Sequence, residues 1–180
     1  RQLVKMIMRA EQSRTVMFQT ALALEKADKG DNEAKHLVRL LTPLIKFRAC
    51  RDARVVTGDA MEVRGGCGYI EEWTEPRLVR DAHLGSIWEG TSNIVALDVL
   101  RAINKSEGLN VLQQHVEHLL HNGSPCSSEL ESLQTECINK VFVQARTAAT
   151  NNEQEKARQV GTALYNVISL AAMRWEAKQT

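Results

Sequence analysis

The sequence predicts an all-α protein: an antiparallel helical bundle with a helical extension at its C-terminal end. Three observations carry that expectation. Apolar residues recur at three- and four-residue spacing over most of the chain. No stretch shows the sustained apolar–polar alternation of a half-buried strand, and no internal repeat is visible. The helical pattern breaks at glycine- and serine-rich points flanked by capping residues.

The elements follow in order. Leu3, Val4, Ile7, Met8, Ala10, Met17, Ala21 and Leu24 place a long amphipathic helix over residues 2–27. Gly30 stops it, and Asp31 or Asn32 can cap the next. That second helix covers residues 33–61, with Leu37, Leu40, Leu41, Leu44, Ile45 and Phe47 on its apolar face. Pro43 lies inside the pattern and is expected to kink the helix rather than end it, because the periodicity resumes beyond it. Gly65, Gly66 and Gly68 stop the helix, and an irregular stretch with one short turn over residues 77–81 is expected after them. Thr91 or Ser92 can cap a third helix carrying Ile94, Leu97, Val99, Leu100 and Ile103. "NKSEGLN" reads as a connector and "VLQQHVEHLLHN" as a short helix. After "GSPCSS", Ser127 or Ser128 can cap a helix to residue 150, Ser128 and Glu131 having capping-box spacing. A last helix runs to about residue 178.

Bulk properties exclude several classes. With 43% hydrophobic and 25% charged residues the 180-residue chain is globular rather than disordered. A net charge of +1 gives no electrostatic reason to bind nucleic acid or an anionic membrane. No apolar run reaches membrane-span length and no secretory signal is visible. The four cysteines form no CxxC pair and meet no histidine at zinc-site spacing, so they are expected to be reduced thiols of an intracellular protein. No metal site is expected. His115, His118 and His121 share a helix face, but no acid or cysteine completes a ligand set, and a solvated face is the better reading.

The stretch from Gly65 to Ile94 breaks the helical pattern most severely, and each of its parts admits two readings. A Gly-Gly-x-Gly run is a helix stop, or it lets a ligand or another backbone come close. Glu89, between Trp88 and Gly90 at the mouth of a helix, serves the helix dipole. Alternatively, an apolar neighbour desolvates it into a base for a weakly acidic proton. Thr91, Ser92 and Asn93 are an ordinary cap, or they present donors to a flavin edge or a phosphate. Arg80 and Asp81 are a local ion pair or part of a site wall.

Taken together, "EVRGGCGY", the spacing from Tyr69 to Glu89, "RDA", "IWEGTSNI" and a helix ending "LDVLRAI" closely resemble the C-terminal helical domain of the acyl-CoA dehydrogenase family. The family pattern is Gln-x-x-Gly-Gly-x-Gly-aromatic, then Arg-Asp-Ala, then Ile-Tyr-Glu-Gly-Thr. The likeness covers residues 1–104, including the helix of Lys46 and Phe47. Trp88 for the usual Tyr, Glu62 for the usual Gln and the "LDVLR" ending look most like the alkylation-response-like branch, which carries a helical C-terminal extension. The expected division is therefore 1–104 for the bundle, its first helix missing, and 105–180 for the extension.

The resemblance implies a flavin-dependent oxidoreductase that introduces an α,β double bond into an acyl-CoA thioester. Glu89 would be the catalytic base that removes the α-proton, and the β-hydrogen would leave as hydride to FAD. Trp88 and Gly90 would lie against the substrate. Thr91 and Asn93 would contact FAD from the helix mouth, Asn93 standing where many members have Gln. Glu62, Gly65 and Gly66 would lie near the ADP half of an FAD bound by a neighbouring subunit, so a homo-oligomer, dimer or tetramer, is implied. Gly85 and Ser86 stand where larger residues are usual. The family also has an N-terminal helical domain, a middle β domain and an Arg-x-x-Phe motif for the cofactor pyrophosphate. These 180 residues hold none of them and open at Arg1 within a helical pattern, so the chain is expected to be a C-terminal piece, inactive alone. The parent would be cytoplasmic in a bacterium, or mitochondrial or peroxisomal in a eukaryote.

The rival readings are an alkylation-response-type flavoprotein with little dehydrogenase activity and a helical module acting through oligomer or DNA contacts. Beyond residue 104 the chain carries seven lysines and arginines against eight acids, with no basic stripe. Phosphate neutralisation supplies most of such affinity, so no nucleic-acid partner is expected.

Overall fold

The computed structural model describes residues 1–179. Helix α1 (Gln2–Asp28) is followed by α2 (Asn32–Val63), a single turn α3 (Gly66–Tyr69) and α4 (Glu75–Leu84). Then come α5 (Ser92–Lys105), α6 (Gly108–His121), α7 (Ser128–Thr150), a 3-10 turn (Gln154–Lys156) and α8 (Ala157–Gln179). The fold is all-α, as the sequence predicts.

Helix α2 is the spine. Its 32 residues span about 48 Å, and it touches α1, α4, α5, α6 and α8. Asp31 starts it: the carboxylate accepts the Ala34 amide at 3.0 Å, which satisfies one orphan donor of the first turn. The helix runs on through Pro43. Leu37, Leu40, Leu41, Leu44 and Phe47 form its buried stripe. The stripe meets Val99 and Leu100 of α5, Leu112 and Val116 of α6, and Leu164 and Ile168 of α8 in one continuous core. Residues on both sides of position 105 thus share the same interior.

Helices α2 and α8 approach closely in that core. A methyl at Gly161 would sit 3.2 Å from the Phe47 ring, so glycine lets the two helices come this near without displacing that ring. One turn on, Tyr165 is wholly buried, and its hydroxyl finds Ser13 Oγ of α1 at 3.1 Å, as a buried phenol requires. Asp52 is also buried and pairs with Arg48 at 2.7 Å. Burial pushes the Asp52 carboxyl up, and Arg48 pulls against that.

Two elements differ from the sequence expectation. First, the stretch after the glycines is more regular: the single turn α3 is followed by the ten-residue α4. Pro76 in the first turn of α4 favours a helix start. Only Pro76, Val79, Ala82 and His83 are withdrawn from solvent along the segment 76–84, while Leu78 and Leu84 are exposed. Apolar character therefore does not mark the packed face. Second, the connector at 104–110 shrinks to Ser106 and Glu107 between α5 and α6. The Ser106 hydroxyl donates to the Ala102 carbonyl at 2.8 Å and accepts the Gly108 amide at 3.2 Å, closing the gap. The cap of α7 is Ser127, one of the two serines expected there, and it accepts the Leu130 amide. Among the described residues, no helix is long and apolar enough to cross a membrane.

Candidate functional site

The expected site residues fall into two groups on different parts of α2. Glu89 and its neighbours lie beside Lys46, in the first half of the helix: the Glu89 carboxylate is 3.9 Å from Lys46 Nζ. Glu62, Gly65 and Gly66 lie at its C-terminal end. Sixteen residues separate Lys46 from Glu62 along the helix, about 24 Å at the helical rise.

The first group is built on a sharp turn. Glu89 has φ of 56° and Gly90 a φ of 114°. Glycine takes such a conformation freely, but a glutamate there carries strain of about 1 kcal/mol. The turn aims the chain into α5, whose N-cap is Thr91 in an extended conformation. Thr91 makes no side-chain cap bond, so its hydroxyl is not committed to its own helix. The Val95 amide is bonded to the Thr91 carbonyl at 3.0 Å, and the amides before it lie in the first turn, where no intrahelical acceptor exists. Thr91 and Asn93 are both exposed. Uncommitted donors at a helix mouth suit an anionic or polar ligand edge.

Trp88 is 56% exposed and the Glu89 side chain 67% exposed. Within this chain, then, Trp88 does not desolvate the acid. The segment around it nevertheless exposes large apolar side chains: Ile87, Trp88 and Ile94 are all exposed. Large exposed apolar side chains gathered near one acid mark a contact face rather than a finished surface.

The second group is open backbone. Gly65 has φ of 61°, and neither Gly65 nor Gly66 has an atom within 4 Å of where a Cβ would stand. Glu62 is exposed at the same end. Arg64 stacks over Trp73 with its guanidinium 5.0 Å from the ring centre, and pairs with Glu75 at 3.1 Å. These contacts fix α3 and α4 against the end of α2. Arg80 forms a two-point pair with Glu71, at 2.8 and 3.1 Å, that keeps its guanidinium above the usual range. Asp81 instead faces Arg77 at 3.6 Å, so Arg80 and Asp81 are not a pair.

Sequence reasoning missed the residues that hold the Glu89 turn from below. Lys46 donates to the Gly85 carbonyl at 3.0 Å and lies 5.4 Å from the Trp88 ring centre. Arg54 donates to Ser86 Oγ at 3.2 Å. The only signal was their spacing: Lys46, Cys50 and Arg54 recur every four residues on one helix face. The histidine cluster also differs from expectation. His115 is withdrawn from solvent, its Nε2 lies 3.0 Å from Gln19 Oε1, and burial lowers its pKa to about 4. It is a structural residue facing α1 rather than part of a solvated face.

The comparisons with known proteins bear on this geometry. Residues 1–104 match the family model described as the acyl-CoA dehydrogenase C-terminal domain. The chain belongs to the acyl-CoA dehydrogenase family. It is 40% identical over 107 residues to the putative acyl-CoA dehydrogenase AidB of Escherichia coli, covering 59% of this chain and 19% of that protein. It is 33% identical over 160 residues to acyl-CoA dehydrogenase family member 11 of Caenorhabditis elegans, covering 84% of this chain and 26% of the relative. The crystal structure of Caenorhabditis elegans ACDH-11 in complex with C11-CoA superposes with a TM-score of 0.86 at 29% identity, over 99% of this chain and 32% of the other. That match runs through α6–α8, so these helices are part of the shared architecture. The chain spans about a quarter or less of the curated relatives named here.

Proposed function

We propose that these residues are the C-terminal helical part of a flavin-dependent acyl-CoA dehydrogenase in which Glu89 is the catalytic base. The observation that carries the reading is the Glu89 turn: a strained acid delivered to an apolar face at the mouth of a helix with uncommitted donors. Strain of this kind persists where function requires it.

FAD fits the residues present at one edge and less well at another. Thr91 and Asn93, with the first-turn amides of α5, can meet the polar edge of the flavin. Gly65 and Gly66 leave open backbone for the ADP half of a second molecule. The separation of about 24 Å along α2 suits a homo-oligomer in which the two groups serve different cofactors. Glu62 is the weak point, because a carboxylate is a poorer neighbour of a pyrophosphate than an amide.

The cofactor would supply the hydride acceptor for the β-hydrogen. Glu89 takes the α-proton of the thioester. Trp88 and Gly90 position the acyl group, and the exposed apolar side chains around them are covered by substrate and by the rest of the parent protein. That cover would give Glu89 the desolvation a carboxylate base needs. Residues 1–104 form the family module and 105–180 an extension that completes its core. The isolated chain is inactive because one helical part cannot enclose cofactor and substrate. Four free thiols suit an intracellular setting.

The test is direct. The purified full-length protein should carry an oxidised-flavin spectrum, and an artificial electron acceptor should be reduced when C11-CoA is added. A full-length protein that folds but holds no flavin would refute the reading.

A further inference from the structure

One face of α2 grips the turn that carries Glu89 at three successive rungs. Lys46 donates to the Gly85 carbonyl at 3.0 Å, lies over the Trp88 ring and stands 3.9 Å from the Glu89 carboxylate. One helical turn on, Cys50 fills the space that a side chain at position 85 would need: a methyl there would lie 3.3 Å from Cys50 Sγ. Another turn on, Arg54 donates to Ser86 Oγ at 3.2 Å, and the Ser86 hydroxyl donates to the His83 carbonyl at 3.1 Å. Ser86 is buried by this arrangement although it stands in an exposed turn.

We propose that Lys46, Cys50 and Arg54 form a clamp that sets the position of Glu89, with Lys46 as its principal positioning residue. The proposal rests on the reading of Glu89 as the base. Three facts give it force. The Glu89 backbone is strained, so something outside the turn must hold it. The bonds come from charged donors, which are stronger than neutral ones. Gly85 and Ser86 are explained together: the first admits the thiol, and the second supplies the acceptor for Arg54. Lys46 is also the only cation within 4 Å of the Glu89 carboxylate among the described residues. It does not touch the reacting carbon and is not itself a base.

The experiment uses the full-length, flavin-loaded protein with the variants Lys46→Met, Lys46→Arg and Arg54→Met. Hydrogen exchange is read at the bonded amides of Ser86, Ile87 and Trp88, alongside kcat and KM with C11-CoA. Losing one charge-assisted bond should speed exchange of these amides about tenfold in Lys46→Met. A misplaced base should lower kcat about a hundredfold, with KM little changed. Lys46→Arg should recover most of both, and Arg54→Met should show the same pattern more weakly. If exchange in the 85–89 turn is unchanged in Lys46→Met, the clamp is refuted whatever the activity does. If exchange rises but kcat does not fall in an active enzyme, the positioning role is refuted. If the wild type has no turnover while exchange rises in Lys46→Met, the clamp stands and the catalytic reading of Glu89 falls.

Discussion

Two faces of α2 do opposite things. Towards α8 the helix is finished: Leu40 and Leu44 have no exposed surface, Gly161 closes on Phe47, and Asp52 pairs with Arg48. Towards Glu89 it is unfinished: the turn is strained, Trp88 and Ile87 are exposed, and the donors of α5 have no intramolecular use. The lesson is that one helix separates stability from function by face. Changes on the first face should cost stability, and changes on the second should cost chemistry.

The largest stability effect is expected on the buried face. Asp52→Ala leaves the Arg48 guanidinium partly buried without its partner, and losing one member of a buried pair costs about 3–5 kcal/mol. Denaturant unfolding would show it as a lower midpoint with unchanged slope. A loss below about 1 kcal/mol would mean that water reaches the pair and the face is less finished than described.

The next effect is a pH dependence. The pKa of His115 is lowered from its ordinary 6.5 to about 4, mainly by burial. The unfolded chain therefore takes up the proton first, and stability falls as pH drops from about 6.5 to about 4. The loss is about 2–3 kcal/mol. His115→Gln should remove this component, which melting curves across that pH range would report.

Smaller still, Ser127→Ala removes the cap that accepts the Leu130 amide and should cost about 1 kcal/mol. The change at the functional face with the least stability effect sharpens the comparison most. Glu89→Gly relieves a positive φ, so thermal unfolding should show a small gain, about 0.5–1 kcal/mol, while the proposed activity disappears.

Most of the bundle was legible in the sequence, because apolar spacing and caps act locally. Gly30 and Asp31 mark the α1–α2 junction, and the stripe from Leu37 to Phe47 is buried as its spacing implies. Helix α4 was legible only as a short turn over residues 77–81, because Leu78 and Leu84 face outward and blur its period. His115 was misplaced for a related reason: its partner, Gln19, lies 96 residues away on α1. The candidate site was legible as a motif but not as a device. "IWEGTSN" locates Glu89 and the donors of α5, but the grip of Lys46 and Arg54 spans 39 and 32 residues. Nothing local in the chain announces contacts at that distance.

The central claim is that Glu89 is the base. The most direct measurement mixes the flavin-loaded full-length protein with C11-CoA under anaerobic conditions and follows the oxidised-flavin absorbance over time, for wild type and Glu89→Gln. The account predicts rapid loss of absorbance in the wild type and a rate lower by about a thousandfold in Glu89→Gln, with flavin content and melting temperature unchanged. Equal rates in the two proteins would contradict it.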